Sequence, residues 1–111
     1  MAGKFEIKKT GNGKYYFNLK ASNGQIILSS ELYETLEGVN QVIESVRKNA
    51  SNLSFFEKRT SSKGNPYFIL KANNGLELGR SEMFSSIESM EKTINSVQNN
   101  SPNAELVSLS K

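Results

Sequence analysis

Tyr16-Phe17-Asn18-Leu19-Lys20-Ala21-Ser22-Asn23-Gly24 recurs 51 positions later as Tyr67-Phe68-Ile69-Leu70-Lys71-Ala72-Asn73-Asn74-Gly75. Sliding the chain by that offset aligns residues 5–49 with no gap, and about 17 of 45 positions are identical. A fixed register of this length marks an internal duplication. Outward from the quoted stretch, Phe5-Glu6 falls on Phe56-Glu57, Ser30-Glu31 on Ser81-Glu82, and Ile43, Val46 and Asn49 on Ile94, Val97 and Asn100. The register runs on past the second copy, where Ala104-Glu105-Leu106-Val107 lies over Leu53-Ser54-Phe55-Phe56. The tail therefore reads as the first strand of a third copy, suited to covering an edge in a ring-like or strand-exchanged sheet.

Each copy reads as three strands and a helix. Lys4 to Lys9 alternates, with Phe5 and Ile7 on one side and Glu6 and Lys8 on the other, the pattern of a half-buried strand. Thr10-Gly11-Asn12-Gly13 is turn chemistry. Lys14 to Lys20 puts Tyr15, Phe17 and Leu19 on one face and Tyr16, Asn18 and Lys20 on the other. Asn23-Gly24 predicts a tight primed turn into a third strand at Gln25 to Ser29. Thr35 then caps a helix whose apolar stripe is Leu36, Val39, Ile43 and Val46, with Asn49 at its end. Ser86, Ile87, Met90, Ile94 and Val97 repeat it. One stripe means one buried face, so each helix should lie on the sheet, over Phe17 with Leu19 and Phe68 with Leu70.

Units of about 50 residues bury too little surface to be stable alone. The expected organisation is therefore one domain over 1–111, with repeat 1 at 3–52 and repeat 2, with its C-terminal strand, at 53–111. The copies differ at three telling places: Pro66 for Tyr15, Gly79 for Leu28 and Arg80 for Ser29. Pro66 suits a strand start, and Gly79 suggests a bulge or a close approach.

Composition narrows the chemistry. The chain lacks His, Cys, Asp and Trp, and its net charge is +3 because eleven acidic residues offset fourteen basic ones. Serine-type triads and thiol catalysis need residues it does not have. A zinc or transition-metal site would have to use Glu alone. The expectation is no catalytic activity, no cofactor and no metal. No disulfide can form, and no apolar segment opens the sequence, so the expected compartment is the cytoplasm, with no membrane partner.

The motifs Tyr16 to Gly24, Ser30-Glu31-Leu32-Tyr33 and Ile43-Glu44-Ser45-Val46 recur in the second copy as Tyr67 to Gly75, Ser81-Glu82-Met83-Phe84 and Ile94-Asn95-Ser96-Val97. This ordered set, twice over, resembles the YegP-like proteins of bacteria. The resemblance implies an α+β fold of tandem duplicated β-β-β-α-β units. They would form one antiparallel sheet with two helices packed on one face and the last strands exchanged. It further implies a fused pseudo-dimer, hence a monomer; it implies almost nothing about activity, and no catalytic residues carry over from it.

With helices on one face, the other would show Tyr16, Lys20 and Lys8 from the first copy and Tyr67, Lys71 and Arg59 from the second. Aromatic and basic side chains on a sheet can stack bases and meet phosphates of single-stranded nucleic acid. The plainer reading is a solvated face whose lysines are neutralised by Glu6 and Glu57 across the strands. Lys-Ala-x-Asn-Gly reads as a hairpin rather than a ligand loop, and Ser30-Glu31 and Ser81-Glu82 as local caps rather than a polar crevice. The expected function is a binding or interaction module with an unidentified partner. Protein and single-stranded nucleic acid are the two partner classes weighed.

Overall fold

The computed structural model describes residues 3–108; the ends of the expected domain, 1–2 and 109–111, lie outside the described residues. The elements in chain order are β1 (Lys4–Lys9), β2 (Tyr15–Lys20), β3 (Ile26–Ser29), α1 (Leu36–Asn49), β4 (Phe56–Thr60), β5 (Pro66–Lys71), β6 (Glu77–Arg80), α2 (Ile87–Asn100) and β7 (Glu105–Ser108). Short 3-10 turns at Leu53–Phe55 and Ser101–Asn103 follow the helices. The strands form one sheet in the order β4-β5-β6-β3-β2-β1-β7. It is open rather than ring-like. The expected antiparallel pairing holds for all neighbours except one: β7 runs parallel to β1, with Phe5 opposite Leu106.

The chain turns through four hairpins of one design, which is not the primed turn the Asn-Gly pairs suggest. In the turn after β2, Gly24 N–H donates to the Ala21 carbonyl at 2.9 Å, and Ala21 N–H donates to the Gln25 carbonyl at 2.9 Å. Among the described residues only glycines take positive φ, at Gly13, Gly24, Gly64 and Gly75. This is an ordinary type I turn closed by one left-handed glycine, the three-residue hairpin. The asparagine contributes its side chain instead: Asn23 Oδ1 accepts from Gln25 N–H and Asn74 Oδ1 from Leu76 N–H, both at 3.0 Å.

Both helices are capped as the sequence predicts. Thr35 Oγ1 accepts from Gly38 N–H and Ser86 Oγ from Ser89 N–H. Leu36 and Ile87 are nonetheless exposed, at 37% and 66%. The first helical turn overhangs the end of the sheet, so the stripe is buried only from Val39 and Met90 onward.

The helices cross the repeat boundary. α1 packs on β2 and on β6, while α2 packs on β5 and on β3. One apolar cluster results, joining Phe5, Phe17, Leu19 and Val46 of the first copy to Phe68, Leu70, Ile94 and Val97 of the second. Phe5 meets Phe17 edge-on at 5.5 Å between ring centroids, and Phe56 meets Phe68 in the same way at 5.6 Å. Burying each such ring contributes roughly 1.5–3 kcal/mol. Each half covers its second strand with its own helix and its third strand with the helix of the other half. Further ties cross between the halves. Arg47 donates to the Ser101 and Pro102 carbonyls, and Asn100 Oδ1 accepts from Gly3 N–H at 2.8 Å.

Candidate functional site

The face of the sheet away from the helices carries every candidate residue named from the sequence. Register pairs them: Lys8 stands opposite Tyr16, Lys4 opposite Lys20, Arg59 opposite Tyr67, and Lys71 opposite Glu77. Both tyrosines are half-buried, and each has a cation as its cross-strand neighbour. β-strand alternation suffices to put them there, because Phe17 and Leu19, or Phe68 and Leu70, are fully buried on the helix side.

Much of the positive charge on this face is already matched. Lys20 Nζ lies 3.1 Å from Glu6 Oε1, a Coulombic pairing without hydrogen-bond geometry. Glu57 takes Lys71 at 2.6 Å and Arg59 at 2.5 Å. These two hydrogen bonds, Lys71 first, hold the Glu57 carboxyl below the usual carboxylate range. The same contact with Glu57, and then one with Tyr67, raises Arg59. Exposed pairs of this kind are screened by solvent, so they organise the surface more than they stabilise it. Lys8 makes no ion pair among the described residues.

A row of side chains crosses the middle of this face, one from each of the six strands β1 to β6. Glu6 faces Asn18, Asn18 faces Ser29, Ser29 faces Arg80, Arg80 faces Ile69, and Ile69 faces Glu57. In the first half Ser29 Oγ donates to Asn18 Oδ1 at 2.7 Å. In the second, Ile69 is 1% exposed and Arg80 grips Glu77 through Nε at 3.0 Å and Nη2 at 3.1 Å. That bidentate contact raises Arg80. Arg80 and Glu77 belong to the candidate face, yet the sequence reading left them out of it. Simple alternation puts residues three apart on opposite faces; the pairing slips by one residue after Leu70 and brings both to this one, a slip that the local pattern does not show.

A cavity of about 290 Å³ opens along the seam between β3 and β6. Ile26, Ile27 and Leu28 form its apolar wall, and Arg80, Ser81 and Glu82 its polar one.

The serine motifs are structural. Ser30 Oγ accepts from Phe17 N–H at 2.9 Å and Ser81 Oγ from Phe68 N–H at 3.0 Å. Each hydroxyl in turn donates to the carbonyl of the glutamate that follows. The hydroxyl continues the ladder where the third strand turns away, as the capping reading expects. The glutamates Glu31 and Glu82 point outward, and the Ser-Glu pairs form no shared centre. Tyr33, half-buried at the foot of β2, is pushed up by burial and then by the nearby charges of Glu31 and Glu77. No helix among the described residues is long and apolar enough to cross a membrane.

Comparison with known proteins places this arrangement in a family. The profile described as "Domain of unknown function (DUF1508)" matches twice in tandem, over residues 11–57 and 61–108. The UPF0339 protein MS1092 of Mannheimia succiniciproducens is 47% identical over 98 residues, 88% of this chain and 87% of its own length. The UPF0339 protein YegP of Yersinia pestis is 47% identical over 98 residues, 88% of each chain. Among solved structures, the solution structure of yegP from E. coli superposes with a TM-score of 0.94 at 39% identity, covering 99% of this chain and 95% of that one. The UPF0339 protein SO3888 of Shewanella oneidensis gives 0.94 at 37%, covering 99% and 93%. The duplication, the sheet with its exchanged strand and these likenesses agree: the chain belongs to the DUF1508 family, the YegP-like UPF0339 proteins.

Proposed function

We propose that the protein is a non-catalytic binding module that meets its partner on the uncovered face of the sheet. The supporting observation is the register: Lys8 with Tyr16, and Arg59 with Tyr67, present the same aromatic–cation pair twice on one flat surface. Residue types that carry out nucleophilic or acid–base chemistry elsewhere in proteins serve structural ends here. Ser30 and Ser81 complete the backbone ladder, and Glu57 and Glu77 hold cations. On this reading the fused halves act as a cytoplasmic monomer, a pseudo-dimer made in one chain. A chemical-shift titration with a panel of metabolites, oligonucleotides and peptides tests it. Saturable shifts at Tyr16, Tyr67, Lys8 and Arg59 support the reading; shifts clustered on the helix side would refute it.

A second reading names single-stranded nucleic acid as the partner. It is favoured by the spacing of two half-buried tyrosines with adjoining cations, since rings can stack bases while Lys8, Lys20, Lys71 and Arg59 meet phosphates. Fluorescence anisotropy with mixed-sequence oligonucleotides should show binding that weakens steeply with salt and drops when Tyr16 and Tyr67 become Ala. Affinity indifferent to both would remove nucleic acid from consideration.

A further inference from the structure

The two ends of the sheet are not equivalent, although the two repeats that make them are. β1 and β4 correspond under the offset of 51, and their pairing agrees: Phe5 faces Leu19 as Phe56 faces Leu70. β1 carries β7 on its outer edge, in parallel, with Lys4, Phe5, Glu6 and Ile7 opposite Glu105, Leu106, Val107 and Ser108. β4 ends the sheet, and among the described residues no strand lies beside it. The reason lies in the connection. The segment after α2 is free to cross over to β1, whereas the segment after α1 runs directly into β4 through the 3-10 turn at Leu53–Phe55. Fusion of the repeats thus leaves one strand position of the pseudo-symmetric sheet empty.

We infer that the outer edge of β4 is a docking site for an extended peptide segment of a partner protein, added in parallel as β7 is added to β1. β7 shows how the edge is used. Glu105 N–H donates to the Gly3 carbonyl at 3.1 Å, so residues of odd number on β1 turn their backbone polar groups outward. The equivalent residues on β4 are Phe56 and Lys58: the Phe56 N–H is taken by the Leu53 carbonyl in the 3-10 turn, which leaves the Phe56 carbonyl and both polar groups of Lys58 to the edge. Main-chain bonds of this kind give affinity, and pockets for alternate side chains give selectivity.

The selectivity determinants are present. Just beyond the stretch that β7 would cover, a cavity of about 160 Å³ opens between the edge and α2, lined by Lys58, Thr60, Pro66, Ile87, Met90 and Glu91. Ile87 there is 66% exposed. A docked strand sets an apolar side chain beside Phe56, as Leu106 sits beside Phe5, and a second apolar side chain opposite Thr60 enters the cavity. An acidic residue between them meets Arg59. Lys58 and Arg59 are long charged side chains on this edge, each held by a carboxylate, Glu91 at 2.5 Å and Glu57 at 2.5 Å. Charged side chains on an edge strand guard it against pairing with a second copy of itself, which favours a foreign segment over self-association.

The probe is a blocked synthetic peptide of residues 103–108, Asn-Ala-Glu-Leu-Val-Ser, the sequence already seated on the equivalent edge. Titrated into the full chain, it should move the amide resonances of Phe56 to Thr60 saturably. N-methylation of the peptide's valine, which faces the edge, should weaken binding about tenfold or more, because a backbone bond is lost and a methyl group intrudes. N-methylation of its leucine, which faces away, should leave binding unchanged. Lys58→Pro removes an outward N–H without touching the β4–β5 ladder and should abolish the shifts. The methylated peptides give the answer even if that variant misfolds. No shift at 56–60, shifts confined to β1, shifts spread over Tyr16 and Tyr67, equal effects of the two methyl groups, or concentration-dependent pairing of the chain with itself would each overturn the inference.

Discussion

Ser29 and Arg80 stand opposite one another where β3 meets β6, and they are also the same position of the two repeats. The pseudo-twofold axis of the molecule passes between them. Residues at such an axis would face their own copies in a symmetric dimer; in one chain they are free to differ. Ser29 bonds Asn18, Arg80 bonds Glu77, and the face becomes polar on one side of the axis and charged on the other.

Gly79 depends on the same seam. A Cβ there would lie 2.9 Å from Leu28 Cγ and 3.0 Å from the Ser29 carbonyl oxygen. Gly79→Ala should cost roughly 1–3 kcal/mol in chemical denaturation, the range for overpacking. Leu28→Ala frees the space, so the double variant should lose less than the sum of the two single losses. Strict additivity would show that the contact is not what makes the glycine necessary.

Pro66 deletes a bond that Asn65 replaces. In the first copy Tyr15 and Tyr33 exchange two backbone bonds, at 2.8 and 2.7 Å. In the second, Phe84 N–H still donates to the Pro66 carbonyl at 2.9 Å, but Pro66 has no N–H to return. Asn65 Nδ2 donates to the Phe84 carbonyl instead, at 3.1 Å. Asn65→Ala should therefore cost about 1 kcal/mol, and the same change beside Pro66→Tyr should cost less. Urea midpoints of the four proteins decide it.

Acid and alkali should act at different residues. Glu57 is lowered by its contacts with Lys71 and Arg59, so its contribution to stability is present above the ordinary carboxylate range and is lost as pH falls through the folded value. Glu57→Gln should flatten that acid limb, and added salt should mimic part of the effect because the group is exposed. Tyr33 is raised, so the folded state holds its proton longer, and stability falls as pH rises above the tyrosine's ordinary value of about 10. Tyr33→Phe, the residue the second copy already has at Phe84, should soften the alkaline limb. It should also remove a late-ionising tyrosine from an ultraviolet titration.

A fragment of residues 3–52 should not form a cooperatively folded monomer. Its helix α1 would lose β6 and its strand β3 would lose α2, leaving Val39, Ile43 and Leu28 with half their cover. Circular dichroism and sedimentation of the fragment test this; a stable, cooperatively melting monomer would show that the halves do not need each other.

The sequence by itself determined the duplication, the order of strands and helices, and the two faces of the sheet. All rest on local periodicity and a fixed register, which survive without a partner: Phe17 and Leu19 must turn one way if Tyr16 and Lys20 turn the other. It also marked Gly79 as a bulge or a close approach, since loss of a side chain at one copy of a position is visible in the letters; the contacts with Leu28 decide for the close approach. Tertiary structure decided what depends on distant chain segments. The parallel entry of β7, the crossing of each helix onto the other repeat, the choice of Glu77 by Arg80, and the uncovered edge of β4 follow from where two halves meet and how their connections run. No local pattern encodes those relations, because each is a contact between residues tens of positions apart whose geometry exists only once the common core has closed.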